Sequence, residues 1–408
     1  MMNWKLLILL MLTVGYLYRM ILHIIQYHSA NNPTPANVAD VYDGETYQRW
    51  KSYNGEKCRL SIFSLIVSYV LMLVLLCTNA YAAFSALFPS NIYMQLIAVL
   101  LFQTVLSAVI DLGFNYAETM VIEGKYGFNR STLRTFAVDQ IRSLILELLI
   151  SIGLVCILAA LHGAMGDWMI LLFTAVIFCF TMIISFLYPI FSRMSNKFVP
   201  LEDGELKERL MGLLTKHGYH VKAIEVMDAS RRTTKLNAYF TGFGKMKTIV
   251  LYDNLINAMS TDEICAVFSH ELGHGLHKDV LKMQIMNLGN MLVMATLVWL
   301  AVREPLLHTA FGFDGVNYGF AYVLLNIGLG LIQPLTGMLI GAYSRFAEFR
   351  ADRQAAEEGY GAALVTGLKK LAKENFADLS PSRVIVVLEY SHPPLSARID
   401  ALESIAKE

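Results

Sequence analysis

Seven stretches of this chain are too long and too apolar to sit on the surface of a water-soluble protein, and they govern what it can fold into. They lie at 4–25, 61–83, 93–114, 142–163, 167–190, 285–302 and 318–341. About 20 apolar residues in a helix cross the hydrocarbon core of a bilayer. Only a helix or a closed barrel satisfies its own backbone there. Composition agrees: 16% of the 408 residues are charged, against about 25% in soluble domains, and the mean hydropathy is +0.48. The first run follows Lys5 as a signal peptide would, but it is long for one and lacks a nearby small-residue cleavage site, so it reads as an uncleaved span. The expected fold is mainly α, a polytopic membrane protein with seven transmembrane helices.

A net charge of zero gives no reason to expect nucleic acid; the partner implied is the lipid bilayer. The five cysteines are scattered with no paired spacing, which argues against a disulfide framework or a cysteine metal site. No internal repeat or low-complexity segment stands out.

Lysines and arginines set the orientation. Arg49, Lys51, Lys57 and Arg59 follow span one, and Lys125, Arg130 and Arg134 follow span three. The loops after spans two and four hold none, and the loop after span six holds only Arg303. The first, third and fifth loops and the C-terminus are therefore expected on the cytoplasmic side, with the N-terminus outside. The chain divides into spans one to five (1–190), a cytoplasmic α/β insertion (191–284), spans six and seven (285–341) and a cytoplasmic helical segment (342–408). Within the insertion, 204–216 has helical spacing, while AIEVMD (223–228), NAYF (237–240) and KTIVLY (247–252) read as strands. The glycines of TGFGK (241–245) suggest a hairpin turn before the last of them.

The insertion ends in FSHELGHGLHKD (268–279). Ser260 and Glu263 form a capping box that starts a helix here. His270 and His274, four residues apart, share a helix face ~6 Å apart along the axis. Two imidazoles so placed can bind one ion, and Glu271 beside them can serve as a general base toward a ligated water. His277 lies on the same face but ~10 Å further along, beyond the reach of one tetrahedral zinc. The third ligand must come from another element. After span seven, SRFAEFRAD carries Glu348 and Asp352 one turn apart, on the same membrane side. Glu348 can complete a two-histidine, one-glutamate Zn2+ site, one ion per chain, and Asp352 can accept the second N–H of a ligand histidine.

Taken together, the motifs resemble the type 1 CAAX prenyl proteases, integral-membrane zinc metalloendopeptidases of the gluzincin kind. The resemblance covers nearly the whole chain: YQRWKSY (47–53), EGKYGFNRST (123–132), NKFVPLEDGELK (196–207), LNAYFTGFGKMKTIVLYDNLI (236–256), HELGH, SRFAEFRAD (344–352) and SHPPLSARI (391–399). It implies that His270, His274 and Glu348 ligate zinc with Glu271 as catalytic base. It also implies that Asn237 helps hold the substrate backbone, that His392 stabilises the developing oxyanion, and that Arg398 sits near the site. A histidine before two prolines can equally well just end a helix, and an arginine in a C-terminal helix commonly pairs with a carboxylate.

Polar groups interrupt the spans: Gln103, Asp111, Asn115, Glu147, Asn287, Asn290, Asn326 and Gln333. Such groups face a protein interior or a water-filled cavity. The resemblance implies a ring of spans around a hydrated chamber with zinc at its cytoplasmic end; ordinary hydrogen bonding between helices is the alternative. The expected activity is zinc-dependent hydrolysis of a peptide or protein, with C-terminal prenylation of the substrate left open. A monomer is expected, in a bacterial inner membrane or, alternatively, the endoplasmic reticulum. Quality control of membrane proteins without prenyl dependence, a non-catalytic scaffold and a transporter are the competing functions.

Overall fold

A computed structural model describes residues 3–241 and 248–407. The spans are long helices: α1 Trp4–Ser29, α2 Gly44–Cys77, α3 Ile92–Tyr116, α4 Leu133–Met165, α5 Met169–Ser195, and, beyond the insertion, a sixth and a seventh. Six continuous helical stretches are long and apolar enough to cross a membrane. One of them, 133–185, runs through both α4 and α5. Those two are separated by a 310 turn at Gly166–Trp168, where Gly166 takes φ 55°, so seven spanning α-helices result among the described residues.

Both ends of the second span differ from the hydropathy reading. The second span was expected over 61–83, but α2 begins at Gly44 and ends at Cys77. Asp43 caps its start by accepting from the Thr46 N–H, and the left-handed Asn79 (φ 57°) breaks the chain before a short helix, Ala80–Ser85. The basic residues of the first loop therefore ride on a helix that continues out of the bilayer. At the end of α3, seven residues, Ala117–Glu123, wind as a π-helix, a rare form that is frequent at functional sites.

The insertion contributes β1 Phe198–Pro200, α6 Glu205–Lys216, β2 Ala223–Met227, β3 Ala238–Thr241 and β4 Thr248–Tyr252. The strands form one sheet in the order β1-β2-β4-β3, so β3 is an edge. β1, three residues long, was not anticipated, and the expected TGFGK turn lies outside the described residues except for Thr241. The chain continues through α7 Thr261–Leu276, α8 Asp279–Arg303 and α9 Tyr318–Glu357. It closes with α10 Gly361–Glu374, a short helix Arg383–Glu389 and α11 Leu395–Ile405. The last span is thus one 40-residue helix that leaves the membrane still wound and carries Glu348 on its extension.

Two large cores and three smaller clusters are buried among the described residues. At the end remote from the insertion, Leu12, Leu76, Leu96, Leu100, Leu158, Val298 and Phe320 bury together. In the hydrophilic unit, Leu210, Leu214, Ile249, Leu251, Phe268, Leu272 and Leu364 do so. Between them the spans hold little buried surface: residues 137–150 of α4, 280–294 of α8 and 329–343 of α9 include none that is buried. In the same layer Tyr16, Ser68, Gln103, Ser107 and Asp111 line a cavity of about 170 Å³ between α1, α2 and α3. Asp111 and Glu147 lie within electrostatic reach of each other. This polar lining at membrane depth is where a chamber would lie.

Candidate metal centre

Local sequence fixes the helix that carries the histidines. Ser260 Oγ accepts the Glu263 N–H (3.3 Å) and Glu263 Oε2 accepts the Ser260 N–H (2.8 Å), which completes the capping box. Lys370 holds the Glu263 carboxylate at 2.6 Å and ties α7 to α10. Gly273 lets α7 lie against α9: a Cβ there would stand 3.1 Å from the Ala351 Cα and 3.2 Å from the Gln354 Cβ. That approach brings Glu348 across from the histidines. Gly273→Val is expected to force the helices apart, since overpacking typically costs about 1–3 kcal/mol. Bound-zinc stoichiometry and thermal midpoint should both fall; an unchanged zinc content would show that the crossing tolerates the side chain.

One potential ligand atom from each of His270, His274 and Glu348 lies within 4.8 Å of the others. His270 Nε2 is 3.5 Å from Glu348 Oε2, and His274 Nε2 is 3.3 Å from Glu348 Oε1. Glu348 Oε2 is buried yet makes no hydrogen bond among the described residues. The Arg398 guanidinium at 3.3 Å offsets its charge without a hydrogen bond, and two imidazoles with one carboxylate are the donor set zinc takes in catalytic sites. The residues fit the metal.

Each imidazole is braced from behind. His270 Nδ1 meets Asp352 Oδ1 at 2.8 Å, and Asp352, 1% exposed, accepts from Arg398 Nε (2.8 Å) and Nη2 (2.6 Å). His274 Nδ1 meets Asp279 Oδ2 at 3.1 Å, and Asp279 Oδ1 accepts from the Tyr343 hydroxyl (2.8 Å) and from Arg350. Burial would lower the His270 imidazole, but hydrogen bonds with Asp352 and Glu348 outweigh it and hold it up at about 9. Burial likewise works against His274, and Glu348 raises it. Glu271 has no such brace, and burial pushes its carboxyl up.

The remaining sequence candidates fall into different places. Asn237, Glu271, His392 and Arg398 line one groove of about 110 Å³ with His270 and Glu348. Asn237 is exposed, and its Oδ1 accepts the Ala238 N–H at 2.9 Å. The His392 imidazole is 63% exposed at the groove, with Nε2 3.3 Å from Glu348 Oε1. Arg398 is buried, and its Nη1 lies 3.3 Å from Glu348 Oε2. Its guanidinium is engaged by the Asp352 and Glu348 carboxylates, the pairing that an arginine in such a helix commonly makes. His277 ends α7 as its C-cap, and its N–H bonds the Gly273 carbonyl. Asp279 was not foreseen. It follows Lys278, which takes φ 57°, and that left-handed residue turns the chain so that the first residue of α8 comes back under His274. No residue-type pattern announces such a return.

Residues 23–193 match the family described as CAAX prenyl protease N-terminal, five membrane helices. Residues 200–406 match peptidase family M48. CAAX prenyl protease 1 of Saccharomyces cerevisiae is 29% identical, covering 99% of this chain and 96% of that one. A CAAX prenyl protease 1 homolog of Oryza sativa subsp. japonica is also 29% identical, over 97% and 96%. The probable CAAX prenyl protease 1 of Schizosaccharomyces pombe is 30% identical over 90% and 82%. The crystal structure of S. mikatae Ste24p superimposes with a TM-score of 0.91 at 27% identity, covering 99% of this chain and all of that one. The chain belongs to peptidase family M48 and, with the membrane segment of the CAAX prenyl proteases ahead of its catalytic part, is an integral-membrane zinc endopeptidase.

Proposed function

We propose that His270, His274 and Glu348 hold one zinc ion, that Glu271 is the base for hydrolysis, and that the substrate is a C-terminally prenylated peptide or protein. The observation that carries the metal assignment is the triad itself, two imidazole nitrogens and a buried carboxylate drawn together from two helices. Zinc bound there supplies a Lewis acid and acidifies a ligated water. Glu271 takes the proton of the attacking water and returns it to the leaving amine; its burial makes it a stronger base than an exposed glutamate. Asn237 and the open edge of β3 receive the peptide backbone as an added strand. His392, beside Glu348, donates to the oxyanion as it develops. Arg398 acts through Asp352 and Glu348 and does not touch the substrate.

The prenyl preference is supported by the names of the relatives, and the polar cavity among α1, α2 and α3 is of a size to hold water at membrane depth. We place the groove on the cytoplasmic side because the basic loops lie at that end, in a monomer, in a bacterial inner membrane or the endoplasmic reticulum. Purified protein offered farnesylated and unmodified peptides, with and without phenanthroline, tests the reading. Chelator-sensitive cleavage that favours the farnesylated peptides is expected; equal rates on both would make prenylation irrelevant and point to general membrane-protein quality control. Solvent-accessible labelling of α3 and α8 read by mass spectrometry tests the chamber. Modification at Asp111 and near Asn287 is expected, and complete protection would mean a dry bundle.

A further inference from the structure

Leu236 leads directly into β3, and its main chain is held by a side chain from a distant helix end. The Leu236 N–H donates to Asn375 Oδ1 (2.9 Å), and Asn375 Nδ2 donates to the Leu236 carbonyl (3.1 Å). A carboxamide offers one acceptor and a donor side by side. Asn375 thus makes the pair of bonds that a facing β residue would make. Which side of the strand it covers follows from the register. The Tyr252 N–H donates to the Asn237 carbonyl (3.2 Å), and Ala238 stands opposite Leu251. Asn237 and Tyr239 therefore point their backbone groups at β4. By alternation Leu236, Ala238 and Phe240 point theirs away from it, toward the open edge of the sheet. Asn375 fills the first place on that edge, and Ala238 is the next; its N–H rests on Asn237 Oδ1 (2.9 Å), which an incoming strand would displace.

The position is built firmly. Asn375 caps α10, whose Leu364 and Leu368 line the same groove as Ala238, His270 and Glu271. Asn254 Nδ2 holds the Lys235 carbonyl at 2.8 Å, and Lys235 reaches Glu123 at the end of the π-helical turn at 2.8 Å. The segment before β3 is pinned on several sides.

We infer that Asn375 is a register stop: a peptide that adds to β3 pairs at Ala238 and Phe240 and cannot pair past Leu236. This rests on β3 being the substrate strand. Leu236 and Ala238 are two residues apart, roughly 7 Å along a strand. In that direction the substrate must end or leave the sheet within about two residues of Ala238; in the other it runs on past Phe240. Asn375 is a positioning residue, and its consequence is asymmetry in the length of chain accepted on the two sides of the cut.

The test uses the full-length zinc-loaded protein and peptides of one core sequence, extended by one to five residues at either terminus, with products identified by mass spectrometry. The native protein is expected to tolerate extension at one terminus and to lose about tenfold or more in kcat/KM at the other, the equivalent of one or two hydrogen bonds. In Asn375→Ala the ratio of long to short substrates should rise about tenfold on the restricted side, and cut positions should spread. Asn375→Asp, which keeps the acceptor for the Leu236 N–H and loses the donor, should fall between. A folding defect lowers both series together and leaves their ratio alone. An unchanged ratio in both variants overturns the stop. Peptides N-methylated one position at a time separate this from the underlying reading: indifference to methylation at every position would remove β3 as the substrate strand, whereas sensitivity with an unchanged ratio would remove only Asn375.

Discussion

Glu271→Gln is expected to leave zinc bound and the chain folded while peptide hydrolysis falls by about 10²–10⁴-fold, the range a positioned general base contributes. Glutamine matches glutamate in shape and keeps the groove lined as it is, but a carboxamide cannot accept the proton of the attacking water. Glu271 makes no hydrogen bond to either histidine or to Glu348 among the described residues, so the exchange should not disturb the ligands. Metal analysis of the purified variant beside its rate on a peptide substrate reads the two quantities separately. Zinc at one equivalent with near-native turnover would remove Glu271 from the chemistry. Loss of zinc together with activity would instead make it part of the metal shell.

The second large effect is expected on metal affinity, and from residues that need not touch the metal. Asp352→Asn and Asp279→Asn should each weaken zinc binding by about 10–100-fold, as losing a carboxylate behind a ligand imidazole typically does. With zinc bound, each carboxylate would accept the Nδ1–H of one histidine and so leave its Nε2 lone pair for the metal. An asparagine can present its NH2 to the same nitrogen, which favours the wrong tautomer. Zinc affinity measured by competition with a chromophoric chelator gives the result without an activity assay. The two variants should differ in stability. Asp352→Asn leaves the buried Arg398 with a weaker partner, and Asp279→Asn does the same to Arg350, which is part-exposed. Breaking a buried charge pair costs about 3–5 kcal/mol, so Asp352→Asn should lower the thermal midpoint more. Native zinc affinity in both would show that the ligand geometry is set by the helices alone.

The spanning helices could be recognised without a structure, because bilayer thickness turns hydrophobic length into a helix almost by itself. The same holds for the placement of His270 and His274 on α7: a four-residue spacing means one face of one helix wherever that helix lies, and the Ser260–Glu263 box marks where it starts. The strands 223–228 and 247–252 were legible as short β-branched and aliphatic runs, and they form β2 and β4. Three kinds of feature were not legible. The end of α2 at Cys77 depends on a left-handed Asn79 inside an apolar run, where hydropathy sees no break. β1 is too short to carry a pattern and exists by pairing with β2. Asp279 and Asn375 work through where the chain has been brought back, and side-chain type says nothing about that.

By itself the sequence determined that this chain spans a membrane and that one helix presents two imidazoles on one face with a carboxylate beside them. Both follow from local rules, apolar length against bilayer thickness and residue spacing against helical pitch, which act without regard to the rest of the chain. Tertiary structure alone decided how the centre is assembled. Glu348 is 74 residues from His274 (348 − 274) and faces it because Gly273 lets two helices cross closely. Asp352 with Arg398 and Asp279 with Arg350 back the two imidazoles, and Asn375 closes one end of the β3 edge. These contacts join residues far apart in the chain, and their energies depend on distance and burial, which only packing supplies.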